Sequence, residues 1–120
     1  MRHRQNLRQS FESAFRGVGY VLRERNFVVQ IVIGAIAIAA SFFLYLDRDA
    51  KIVIFVVAAL VLGAEMVNSA IERLLDRLAP ERDLAVAEIK EILAGAVLLF
   101  AILSIVVGIV VFGPSIWSIV

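Results

Sequence analysis

A chain of 120 residues with 62% hydrophobic side chains and a mean hydropathy of +0.93 is too apolar for an aqueous domain, in which the apolar share is about half. Its net charge of +1 hides a lopsided distribution: Arg2, Arg4, Arg8, Arg16, Arg23 and Arg25 all precede the first apolar run, a pattern that orients a membrane protein rather than one that grips nucleic acid. Cysteine is absent, which excludes disulfides and thiolate metal sites.

Leu7, Phe11, Ala14, Phe15, Val18 and Leu22 recur at helical spacing among Arg4, Arg8, Glu12, Arg16 and Arg23. This predicts an amphipathic helix within residues 1–26, lying in the membrane interface. Residues 27–46 are interrupted only by Gln30 and Ser41 and, at about 1.5 Å per residue, match a hydrocarbon layer about 30 Å thick. A polar helix precedes this first span and no small-residue cleavage site follows it, so we expect it to be retained. Asp47, Arg48, Asp49 and Lys51 predict a tight charged turn. Residues 52–71 predict a second span, whose helix runs on into water through Arg73, Asp76 and Arg77. Ala79, Pro80, Glu81, Arg82 and Asp83 predict a polar loop. A third helix is expected to start near Leu84 or Ala85, to cross the bilayer over residues 92–112, and to end at Gly113, Pro114 and Trp117, with the indole at the interface.

The expected fold is all-α: one integral-membrane domain over residues 1–120, with three transmembrane helices and an N-terminal interfacial helix. Positive charge on the N-terminal segment and on the 73–90 loop places both in the cytoplasm and the C-terminus on the far side. Three helices shelter few polar groups from lipid, so a homo-oligomer is expected.

Polar groups do need shelter here. The second span carries Glu65, Asn68, Ser69, Glu72 and Asp76 on one helical face, with Glu65 and Glu72 roughly 10 Å apart along the axis. Ionisable groups inside a span are costly and mark functional sites. The deep Glu65 suits a general base toward a lipid hydroxyl. The shallower Glu72 suits a hard cation such as magnesium, with Glu24 at the same depth as a second carboxylate. Asn68 and Ser69 offer hydrogen bonds that could orient a substrate hydroxyl or Glu65 itself. Lys90 suits phosphate as a compact charge, with Arg16, Arg23 and Arg25 as further cations. Gly17 and Gly19 lack the pattern of a phosphate loop, and His3 has no metal-ligand spacing. The rival class is a small oligomeric transporter in which Glu65 exchanges protons for a cationic substrate. Such a site leaves Glu24, Glu72, Asp76 and Lys90 at the membrane boundary without work.

The run Glu65-Met66-Val67-Asn68-Ser69-Ala70-Ile71-Glu72, followed by Asp76, resembles the signature of the prokaryotic diacylglycerol kinase family of small trimeric membrane kinases, which includes the undecaprenol kinases. Glu24-Arg25-Asn26-Phe27, the Leu46-Asp47 end of the first span, and Lys90-Glu91 ahead of Ala94-Gly95-Ala96-Val97-Leu98-Leu99 are similar to further motifs of that family. The likeness runs through nearly the whole chain in order and spacing. It implies transfer of the γ-phosphate of ATP, with magnesium, to the terminal hydroxyl of a lipid in the bacterial cytoplasmic (inner) membrane, at active sites shared between subunits of a homotrimer. The acceptor would be diacylglycerol or undecaprenol, and the Glu24 and Ala94 to Leu99 motifs look more like the undecaprenol branch. By the same resemblance Glu65 would be the catalytic base and Glu24 and Glu72 the magnesium ligands. Asn68, Asp76 and Lys90 would touch substrate or nucleotide, with Ser69, Glu91 and Arg16 completing the expected binding set. Glu91 stands where the family usually has aspartate, which keeps the charge and changes its reach.

Overall fold

The structure, a computed structural model, describes residues 6–79 and 83–120, and no strand occurs among them. Expectations placed on Arg2, His3, Arg4, Pro80, Glu81 and Arg82 lie outside the described residues. Four helices follow in order: α1 (Leu7–Val21), α2 (Arg25–Phe43), α3 (Arg48–Leu78) and α4 (Leu84–Ile119).

Three of the four starts carry a side-chain cap. At the head of α1 the Asn6 side chain accepts the backbone N–H of Gln9, while the Gln9 side chain accepts that of Asn6, a reciprocal capping box. Asp47 caps α3 by accepting from the backbone N–H of Ala50 at 2.8 Å, and Asp83 caps α4 through the N–H of Ala85 at 2.8 Å. Glu24 is the N-cap of α2 but makes no capping hydrogen bond, so its carboxylate is free for partners elsewhere.

Two expectations are corrected. Arg48, Asp49 and Lys51 form the first turn of α3 rather than a turn between spans. The reversal is made just before them, where Tyr45 takes φ 53, a left-handed conformation costly for a residue with a side chain. The Lys51 ammonium folds back over the Phe42 ring at 4.5 Å and bridges the two helix ends. Nor does α4 end at Gly113 and Pro114, since it continues to Ile119 with Pro114 inside it. A proline forfeits one backbone bond, and apolar surroundings offer the remaining backbone groups no partner outside the helix, so the helix persists.

The central helix is α3, packed against α2 on one side and α4 on the other. Gly34 lets α2 come close: a Cβ built there would lie 3.6 Å from the Cβ of Ala58. Among the described residues only Val21, Phe27 and Ile54 are buried apolar side chains. The accessible surface is 9716 Å², against about 6,400 Å² for a compact soluble protein of this mass. Helices α2, α3 and α4 are each long and apolar enough to cross a membrane. A bilayer is the solvent that covers such a surface without cost, and the chain is a membrane protein with three candidate spans. Leu7, Phe11 and Phe15 lie exposed along one stripe of α1, as an interfacial helix requires.

Candidate active site

The ionisable residues gather at one end of the bundle, where the last turns of α3 meet the α1–α2 link and the start of α4. Glu24 accepts a short hydrogen bond from the hydroxyl of Ser69 and another from Nη2 of Arg73 at 2.8 Å. The same Arg73 nitrogen donates to the carbonyl of Tyr20 at 3.3 Å, so one guanidinium ties α3 to the end of α1 and the start of α2. The Ser69 hydrogen bond, joined by the hydrogen bond and charge of Arg73, holds the Glu24 carboxyl below its ordinary value despite some desolvation.

Deeper along α3, Oε1 of the half-buried Glu65 accepts from Nε2 of Gln30 at 3.1 Å. It lines a cavity of about 370 Å³ together with Asn26, Gln30 and Ile33 of α2 and Ala101, Ser104 and Ile105 of α4. Glu72 is exposed one turn before Asp76. Across the α3–α4 seam Nζ of Lys90 meets Oδ1 of Asp76 at 2.6 Å.

Residues 12–112 match the prokaryotic diacylglycerol kinase family, a stretch that contains every ionisable group just described. The chain belongs to that family. It is 36% identical to a diacylglycerol kinase of Synechocystis over 105 residues, which cover 86% of this chain and 60% of that protein. To an undecaprenol kinase of Bacillus subtilis it is 29% identical over 117 residues, which cover 94% of this chain and 95% of that protein. Both relatives are lipid kinases, and membership of this family favours the lipid-kinase class over the transporter class.

Within this family member the five-residue stripe on α3 is divided between two neighbours. Ser69 faces α2 and serves Glu24. Asn68 faces α4, where its Oδ1 is buried without a hydrogen-bond partner beside a cavity of about 470 Å³ lined by Ala64, Leu93, Val97 and Phe100. Neither orients Glu65, which takes Gln30 instead. Arg16 donates to Ser13 on its own helix at 3.1 Å, and Glu91 sits exposed on α4, so neither hydrogen-bonds the carboxylate cluster. Gln30 and Arg73 are the partners of the candidate carboxylates that sequence reasoning passed over. Gln30 had a readable signal, a lone amide in an apolar span; Arg73 resembled any solvated charge at a helix end.

A cation here would need more than protein. Among the described residues no three histidine, cysteine, aspartate or glutamate side chains are placed to enclose a metal ion. Two carboxylates sharing an ion with phosphate oxygens and water is the habit of magnesium; here Oε1 of Glu24 is taken by Ser69 and Arg73, and Glu72 is exposed.

Proposed function

We propose that this chain transfers the γ-phosphate of ATP to the terminal hydroxyl of a membrane lipid, with Glu65 accepting the hydroxyl proton. The observation that carries the proposal is the Glu65–Gln30 pair. One carboxylate oxygen is fixed by an amide beside a cavity within the helices, and the other remains for a proton. As the lipid oxygen bonds to the γ-phosphorus, the bond from that phosphorus to the bridging β–γ oxygen breaks. ADP departs, and the hydroxyl proton passes to the free oxygen of Glu65.

Glu24 and Glu72 would hold magnesium, which supplies charge neutralisation on the phosphates when bound. Lys90 offers a point charge to phosphate, with Asp76 holding its ammonium at the α3–α4 seam. Asn68, Ser69, Arg16 and Glu91 remain proposed nucleotide or substrate contacts. A homotrimer with sites completed by neighbouring subunits accounts for the apolar surface that one protomer leaves open and for the carboxylates it leaves exposed. The arginine-rich N-terminal segment argues for the bacterial cytoplasmic membrane with the N-terminus inside, where ATP is available.

For the acceptor we favour undecaprenol over diacylglycerol, because the undecaprenol kinase relative aligns over almost the full length of both chains. The test is radiolabelled transfer from Mg-ATP to both lipids side by side in mixed micelles. Label in undecaprenyl phosphate is expected. Label only in phosphatidic acid would reverse the choice of substrate, and label in neither would reject the activity.

A further inference from the structure

Among the described residues, two ion pairs bridge segments remote in sequence, and both lie in the candidate site: Arg73 with Glu24, and Lys90 with Asp76. Each sets a cation against a carboxylate that the proposed chemistry needs for another partner. The remaining pair, Arg8 with Glu12, stays within α1.

Arg73 is the more constrained of the two cations. Its Nη2 donates to Oε1 of Glu24 at 2.8 Å and to the Tyr20 carbonyl at 3.3 Å. That carbonyl lies in the last turn of α1, where a helix has no backbone donor of its own to offer and where α1 carries no basic residue. Ser69, one turn before Arg73 on α3, donates to the same Oε1. Glu24 is thereby drawn onto α3 instead of capping α2.

A carboxylate oxygen binds a divalent cation with the lone pairs it gives to such donors, and a guanidinium within hydrogen-bond distance repels the incoming charge. Oε1 therefore cannot serve both. The pair is also weak: with side chains 53% and 36% exposed, it is worth no more than about a fivefold preference. That is enough to hold Glu24 in metal-free protein and too little to resist a divalent cation that arrives with phosphate.

We infer that Arg73 is the resident counter-ion of Glu24 and a latch on its carboxylate, so that a divalent cation takes Glu24 only as the guanidinium lets go. The inference rests on the metal role proposed for Glu24 above. Arg73 is a positioning residue, acting through Glu24 and the end of α1 without touching a reacting atom.

The test titrates Mn2+, a paramagnetic substitute for magnesium, into nucleotide-free full-length protein in detergent and reads the unbound ion by electron paramagnetic resonance. Arg73→Gln is expected to tighten binding about threefold or more relative to wild type. Glu24→Gln should weaken binding, and adding Arg73→Gln to it should restore nothing. Equal or weaker binding by Arg73→Gln overturns the inference, and so does an absence of Mn2+ binding in all four proteins. The same gain in the Glu24→Gln background overturns it too, because Arg73 would then act only as a distant charge. A second measurement keeps the latch intact: in wild-type protein carrying isotope-labelled arginine, the Arg73 side-chain resonances, assigned by their loss in Arg73→Gln, should move on addition of Mg2+ toward the positions they hold in metal-free Glu24→Gln. Resonances that stay in place at saturating Mg2+ would mean that guanidinium and metal share the carboxylate, and would overturn it. Both readouts are taken without ATP or lipid, so a failure of phosphate transfer rejects the kinase reading separately from either result.

Discussion

Gln30 occupies one oxygen of Glu65, so a base role makes a narrow prediction about the other. Glu65→Gln keeps the volume and removes the proton acceptor; turnover should fall by about a hundredfold or more, with assembly in detergent unchanged. Near-normal phosphate transfer by that variant would reject the role. Glu72→Gln should raise the magnesium concentration needed for half-maximal turnover, and an unchanged magnesium titration would remove Glu72 from the metal. Glu24 makes a prediction about stability in protein free of nucleotide and metal. Because its folded-state carboxyl lies below the ordinary value near 4.5, its contribution is present above that value and is lost as pH falls through the lower folded one. The group is partly exposed, so the effect should be under about 1 kcal/mol after solvent screening. Thermal unfolding of wild type and Glu24→Gln should differ at pH 6 and draw together as the pH is lowered beyond the ordinary carboxylate value; curves that stay parallel as the pH falls would contradict the assignment.

Among the described residues, α3 takes part in the side-chain hydrogen bonds that join one helix to another. It offers Ser69 and Arg73 to Glu24, Glu65 to Gln30, and Asp76 to Lys90. The site therefore depends on how closely α2 and α4 approach it, and Gly34 against Ala58 sets the α2 side. Gly34→Ala should be nearly neutral, because its methyl would arrive at ordinary contact distance. Gly34→Leu should overpack the seam and cost about 1–3 kcal/mol in denaturant titration. It should also lower activity by drawing Gln30 away from Glu65. A Gly34→Leu protein as stable as wild type would mean that the seam has more room than the geometry shows.

The molecule measures 57 × 40 × 21 Å, and its long dimension is close to the roughly 54 Å expected of a helix of the length of α4. That exceeds the hydrocarbon layer, so the helix ends stand at headgroup level: Lys90 and the acids at one end, Trp117 at the other. The same extended shape explains why so few side chains are buried, since a lipid environment can supply the rest of the enclosure. Topology can be read cleanly because the chain has no cysteine of its own. Gln9→Cys should be labelled by a membrane-impermeant thiol reagent only from the cytoplasmic face, and Ser118→Cys only from the opposite one. Labelling of both from one face would overturn the three-span orientation.

Helix type and three candidate spans were legible before any coordinates. In hydrocarbon a backbone can satisfy its own hydrogen bonds in few ways, so a run of about twenty apolar residues has essentially one solution. The motif from Glu65 to Glu72 was legible because it lies on one helix, where spacing alone determines which face a residue takes. The end of α4 was misread because Pro114 stops helices more often in water than in apolar surroundings. Which partner each polar residue takes was decided only by the packing of helices remote in sequence. Gln30 meets Glu65 and Arg73 meets Glu24 across separations of 35 and 49 residues. Periodicity fixes the direction of a side chain from its own axis, and only the approach of a second axis determines what it meets.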